Sequence, residues 1–418
     1  MLKLQRIYWK LFDISEINPK IKNDLLIFNL YNFQLYLNQM TILKKIPDDI
    51  LNYLNDFIDI KDKVSLFYSK SNNTEFINFC YIKNIVKEYP YLTDEILKQD
   101  IFDQLIEINV NNNSKIKDLN RFLKTLQIID ISWNCGVNDN GIKNCLKLVE
   151  IHAFDNEKIT NLNKFHQTLE IINIGYNCGV DDYGIKDCLK LTNINAHDNS
   201  KIKDLNRFSQ TLEIIDISDD CGVDDNGIKD CLKLIEINVY NNPKIKDLNI
   251  FFETLEIINI SNECGVDDNG IKDCLKLIEI NAFGNSIIKD LNRFYQTLET
   301  INISGGNCGV NDNGIRNCLK LIKIDANNNG KIKDLNKFYQ TLQIINISWI
   351  CGVDDNGIKD CLKLVEIKAT NNKNIKDLNK FHKTLATIDI SWGCGVDDNG
   401  IKDCFKLINI NNFGNLKI

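Results

Sequence analysis

From residue 105 to the end of the chain, residues recur in short blocks of the form Leu-x-x-Ile-x-(Ile, Ala or Val), with Asn412 at the sixth position of the last, every 21 or 22 residues and once after 23. Two kinds of block alternate. One reads Leu191-x-x-Ile194-x-Ala196-x-x-Asn199, the other Leu212-x-x-Ile215-x-Ile217-x-x-x-Cys221. In such a block, positions four and six point to one face of a short strand, and positions five and seven to the other. Asn-type units start at Leu105, Leu148, Leu191, Leu234, Leu277, Leu321, Leu364 and Leu407. Cys-type units start at Leu126, Leu169, Leu212, Leu255, Leu298, Leu342 and Leu385. The pair makes a 43-residue double repeat, lengthened once to 44 between Cys264 and Cys308. One unit cannot bury its apolar face alone, but stacked units share a continuous core. Ahead of the array the period changes. Pro47, Asp48 and Asp49 form a helix start, since proline suits the first turn and acids suit the positive end of the helix dipole. Ile50, Leu51, Leu54, Phe57 and Ile58 then follow a helical apolar stripe. Asp62 opens a second helix carrying Val64, Leu66 and Phe67.

The repeated block resembles the leucine-rich repeat, whose pattern is L-x-x-L-x-L-x-x-[NC] with a period of about 20–29 residues. The Cys-type units are similar to its cysteine-containing class: Cys221-Gly222-Val223-Asp224-Asp225-Asn226-Gly227-Ile228 keeps the Val, Asp, Gly and Ile register, with the cysteine one place later. The expected fold is therefore an α/β leucine-rich-repeat solenoid, a horseshoe of about 15 units, with a small α-helical module at its N-terminus. The expected boundaries are a helical extension over 1–45, a helical module over 46–85, a linker or cap over 86–104, and the array over 105–418. The sequence ends inside the last unit without a polar cap, so that edge is expected either to pair with another chain or to fray.

Position nine of the Asn-type unit is asparagine in all eight copies, Asn113 to Asn415. An amide both donates and accepts, so this column is expected to satisfy loop backbone groups turn after turn. Fourteen of the 15 cysteines are repeat positions, in pairs ten residues apart such as Cys221 and Cys231; Cys80 lies outside. A C-x9-C spacing without a recurring histidine does not suit zinc. Equivalent cysteines two units apart stand ~9–10 Å from one another at a strand spacing of ~4.8 Å, too far to bridge. A bridge inside one repeat is not excluded by distance, but the chain opens without an apolar leader and is expected to stay in the reducing cytosol or nucleus. Buried thiols acting as small apolar side chains are the expectation. Val-Asp-Asp-Asn-Gly-Ile is not a calcium loop: taking Gly227 as its glycine puts Gly222 at the first ligand position and Lys233 at the last. A turn into a short helix is expected instead. His152, His166, His197 and His382 belong to no catalytic pattern. No enzyme, cofactor or metal is expected.

The net charge of −7 argues against nucleic acid as a partner, and no stretch is apolar enough to span a membrane. The positions that vary between near-identical repeats carry the functional signal. Position seven of the Asn-type units includes Phe154, His197, Tyr240 and Phe283. Position eight of the Cys-type units includes Trp133, Tyr176, Trp349 and Trp392. Exposed tryptophan and tyrosine are typical interface anchors, so these eight residues are the expected partner-binding set on the concave strand face. Stacking between loops, or drift, is the alternative.

Ile46, Pro47, Asp49, Ile50, Leu51, Leu54, Phe57, Ile58, Asp62, Leu66, Ser69 and Lys70 follow the pattern L-P-x-E-I-L-x-x-I-x-x-F-L-x-x-x-D-L-x-x-L-x-x-V-[CS]-K, so the segment resembles the F-box. It departs at Asp49, at Lys63 and in lacking a later tryptophan. The resemblance implies docking onto a Skp-type adaptor of a cullin-RING ubiquitin ligase through Ile46, Pro47, Asp49, Ile50, Leu51, Leu54, Phe57, Ile58 and Leu66, while the repeats hold a protein substrate. A plain helical cap on a scaffold or inhibitor-type binder is the alternative. A/T-rich residue usage and near-identical repeats are also similar to F-box/leucine-rich-repeat proteins of giant DNA viruses of amoebae.

Overall fold

The computed structural model describes residues 92–98, 102–103 and 105–418. The chain divides into two compact units, residues 1–85 with 95–105 and residues 86–94 with 106–418. The second unit holds the repeats. The expected extension, the helical module and every F-box-like residue from Ile46 to Leu66 lie outside the described residues, as does Cys80.

Each repeat unit contributes one three-residue strand, from β1 (Glu107–Asn109) to β15 (Asn409–Asn411), and all fifteen form one parallel sheet in chain order. Neighbours pair without offset: Glu150, Ile151 and His152 sit opposite Ile171, Ile172 and Asn173. A slip of one residue would turn the central isoleucine from the core to solvent, so the alternation itself fixes the register. Leu148, Ile151 and Ala153 of one unit, and Leu169, Ile172 and Ile174 of the next, are all buried. The opposite side of the array is held by a column of buried phenylalanines: Phe122, Phe165, Phe208, Phe251, Phe294, Phe338 and Phe381. Each closes a single 3-10 turn such as Asn163–Phe165.

In five of the seven Cys-type units the segment after the cysteine becomes one helical turn, as at Asp225–Ile228, and in the other two it is a non-helical turn. Asp224 caps the turn by accepting from Gly227 N at 3.1 Å. Asp225 accepts from Lys246 N of the next double repeat at 2.9 Å. Asn226 O accepts from Asn206 Nδ2 at 2.7 Å. Gly227 has no alternative, because a Cβ there would stand 2.2 Å from Lys203 O. The carboxylates are thus engaged by backbone N–H groups, and among the described residues no cluster of three metal-ligating side chains forms.

The asparagine column does what the amide chemistry requires. Asn156 Nδ2 donates to Ile131 O at 2.7 Å and to Val137 O at 3.3 Å, while its Oδ1 accepts from Lys158 N at 3.1 Å. The fourteen repeat cysteines are free and buried. The second of each pair donates back across the stack, as Cys231 Sγ does to Leu205 O at 3.3 Å. Burial pushes the thiols of Cys145, Cys188, Cys231, Cys274, Cys318 and Cys361 up to about 12, with nearby aspartates adding to the shift.

Candidate protein-binding face

The face of the sheet turned away from the core is built from positions three, five, seven and eight. Position three is isoleucine or threonine in the Cys-type units and mostly glutamate in the Asn-type units, so Ile128, Glu150 and Ile171 lie side by side. Position five is a ladder of amides and carboxylates. Asn109 donates to Asp130, Asn238 to Asp216, Asn346 to Asp325 and Asn411 to Asp389, at 2.9–3.0 Å. Burial pushes the Asp389 carboxyl up, yet hydrogen bonds from Ser391 and Thr370 outweigh it and hold the group below its ordinary value.

Position eight carries the chain out of each strand, and it is left-handed in every unit. In the Asn-type units it is Asn112, Asp155, Asp198, Asn241, Gly284, Asn328, Asn371 and Gly414. Those are the residue types that tolerate a positive φ. In the Cys-type units the same conformation is imposed on Trp133 (φ 59°), Tyr176 (59°), Trp349 (59°) and Trp392 (57°). A bulky side chain pays about 1–2 kcal/mol there. All four remain exposed, at 48, 42, 52 and 56%.

The aromatic residues gather toward two ends of the rim. Trp133 meets Phe154 edge-on at 5.0 Å, and Phe154 stacks on Tyr176 at 5.5 Å and on His197 at 6.3 Å. Toward the other end Trp392 meets Phe413 at 5.4 Å. Inter-loop stacking therefore accounts for part of the column, and leaves large ring faces open to solvent. Tyr240 Oη accepts from Asn262 Nδ2 at 2.8 Å. Phe283 and Trp349 stand apart from both groups, at an irregular loop.

His197 Nδ1 lies 2.8 Å from Ser218 Oγ and 3.2 Å from Asp219 Oδ2. One ring nitrogen faces both partners, so the imidazole cannot relay a proton between them. Ser218 Oγ itself donates to Asp216, as Ser391 donates to Asp389 and Ser261 to Asn259. This contact recurs from repeat to repeat and belongs to the loop.

Two features escape the sequence reading: the position-five ladder, and the left-handed backbone under the tryptophans. The first was signalled by an unbroken run of Asn, Asp, His and Lys at one register position. The second was signalled by Asn, Asp and Gly filling position eight wherever an aromatic residue does not.

The array is a leucine-rich-repeat solenoid. Solved structures similar to it include an internalin from Listeria monocytogenes, at 15% identity over 74% of this chain and 87% of that one, with a TM-score of 0.46. A leucine-rich-repeat protein of Leptospira interrogans aligns at 14% identity over 81% and 98%, with a TM-score of 0.47. The functional domain of a second Listeria monocytogenes internalin, which includes a cysteine ladder, aligns at 15% identity over 69% of each chain, with a TM-score of 0.41. No family model matches the chain, and no curated protein matches it.

Proposed function

We propose that this solenoid is a non-catalytic binding protein that holds a protein partner on the open face of its sheet, anchored at the aromatic rim. The observation that carries this reading is the placement of Trp133, Tyr176, Trp349 and Trp392: exposed, outside the core, and in a backbone conformation that disfavours them. The fold is served as well or better by Asp219 and Asn262 at the same position. A bulky residue kept at a cost to folding is accounted for by what it touches in a partner. The aspartates at position five (Asp130, Asp216, Asp325 and Asp389), with glutamates at position three, favour a partner with a basic surface.

The F-box-like pattern from Ile46 to Lys70 supports a finer reading. The N-terminal segment docks on a Skp-type adaptor of a cullin-RING ubiquitin ligase in the cytosol, and the rim presents the substrate. Two measurements test the two halves. The Trp349→Asn/Trp392→Asn variant is expected to melt no lower than wild type, because asparagine suits the left-handed position, and to lose partner capture in a proximity-labelling comparison. Unchanged capture would remove those tryptophans from the interface. For the docking half, purified Skp-type adaptor is expected to co-purify with the full chain and not with Pro47→Ala/Leu54→Asp/Phe57→Asp. If neither form or both forms bind, the protein is a binder without a ubiquitin link.

A further inference from the structure

One loop breaks the period. Between Ser304 and Cys308 stand Gly305, Gly306 and Asn307, where the other Cys-type loops have two residues. Rim position eight is Gly305 here, at φ 95°, and Gly284 in the unit before, at φ 64°. The two backbones approach so closely that a Cβ on Gly305 would stand 3.1 Å from Gly284 N. With these side chains missing the rim is interrupted, and a cleft of about 380 Å³ opens. Phe283, from a unit on one side, and Trp349, from a unit on the other, line it with rings that remain exposed. The polar lining is supplied by asparagine amides, from Asn262, Asn307, Asn327 and Asn328, and no charged residue takes part. Asn327 Oδ1 is buried and has no hydrogen-bond partner. A buried acceptor left empty costs about 1–3 kcal/mol.

We propose that this cleft binds a neutral sugar residue at the end of a glycan. Each hydroxyl both donates and accepts, as each amide does, so the two sets match without charge. Asn262, Asn307, Asn327 and Asn328 line the cleft with the amides that such hydroxyls pair with. The C–H face of a pyranose supplies the flat apolar surface that an exposed Phe283 or Trp349 ring can cover. Phosphate, carboxylate and ammonium ligands would enter without a counter-charge, which is unfavourable in a partly dehydrated site. Nucleotides are disfavoured on that ground although their bases could stack. The volume falls at the small end of ligand sites, roughly 300–1,000 Å³, which suits a short oligosaccharide end.

The site shares Trp349 with the protein-binding rim but differs from it in chemistry, and its test uses Gly306 and Asn327, which the rim does not invoke. A Cβ on Gly306 meets nothing nearer than Asn328 at 3.8 Å. Gly306→Leu therefore fills the cleft without disturbing the backbone. The full chain is titrated with maltotriose, cellotriose, chitotriose and mannotriose, read by calorimetry and by tryptophan fluorescence. At least one is expected to bind saturably with a Kd of about a millimolar or tighter, and Gly306→Leu is expected to weaken it by about tenfold or more. Asn327→Leu is expected to lose binding while melting no lower than wild type. Retention of a neutral-glycan glycoprotein that disappears on deglycosylation assigns a protein-borne glycan; binding of free trisaccharides alone assigns a free one. The proposal is overturned if no trisaccharide binds, if Gly306→Leu binds as wild type does, if glucose 6-phosphate binds equally well, or if only peptides bind. Partner capture at Trp133 and Tyr176 is expected to survive Gly306→Leu, so loss of sugar binding and loss of the rim reading are separable.

Discussion

Raising the pH from about 9 to about 10.5 is expected to unfold the repeat array, with a loss of several kcal/mol of stability per pH unit. The cause is the cysteine ladder. Burial holds the thiols of Cys188, Cys231, Cys274 and Cys318 up to about 12, whereas the same groups in an unfolded chain titrate near 9.0. Below pH 9 both states keep their protons and stability does not depend on these groups. Above it the unfolded state sheds protons that the folded state retains, so stability falls as pH rises toward the folded values. Each thiol contributes a slope of about −1.4 kcal/mol per pH unit in that window. Four thiols in adjacent double repeats contribute about −5 kcal/mol per unit. Urea unfolding followed across this range is the measurement. Replacing those four cysteines by alanine lowers stability through lost packing and lost Sγ–H···O contacts, but it should make the alkaline slope shallower by about 5 kcal/mol per pH unit, the other raised thiols keeping the rest. An unchanged slope would show that the thiols are not its source. On the folded protein near neutral pH, without urea, iodoacetamide is expected to leave the fourteen repeat cysteines unmodified, because the thiolate is the nucleophile and burial suppresses it.

Asn242→Leu is expected to destabilise the centre of the array by about 3–5 kcal/mol, more than an ordinary surface or loop change. Asn242 is fully buried. Its Nδ2 donates to Ile217 O at 2.7 Å and to Val223 O at 3.4 Å, and its Oδ1 accepts from Lys244 N at 3.0 Å. Leucine has similar bulk and removes all three contacts, leaving backbone groups with no water to turn to. Each orphaned group costs about 1–3 kcal/mol. Asn242→Asp should fare no better, since it restores the acceptor, loses the donor and buries a charge. In a solenoid, stability is a sum over units and their interfaces, so the melt should become biphasic as the flanking repeats survive separately. Denaturant unfolding with a probe at each end of the array would show this. A single transition shifted by less than about 1 kcal/mol would mean that the amide column is dispensable.

Much of this was legible in the sequence because a repeat states each requirement many times. Ile at position four, with Ile at position six of the Cys-type units and mostly Ala or Val there in the Asn-type units, dictates a strand with one buried face, and stacking then follows from the need to cover that face. Asparagine at all eight ninth positions of the Asn-type units announced a hydrogen-bond column. The absence of leucine-to-polar exceptions at position one announced an unbroken core. What the pattern could not carry was backbone conformation. Trp133 and Trp349 read as exposed aromatics, but the positive φ that makes them costly arises from the exit angle of each strand, a property of two successive units together. The cleft is likewise invisible in a local reading: the sequence shows one extra glycine near residue 305, and only the stacked neighbours bring Phe283, Asn327 and Trp349 to its edge. The sequence by itself determined the sheet, its register and the buried ladders, because periodic burial is a local rule applied at every unit. Only the tertiary structure decided which surface residues are strained and where the rim opens, because those depend on how side chains from different units meet across the stack.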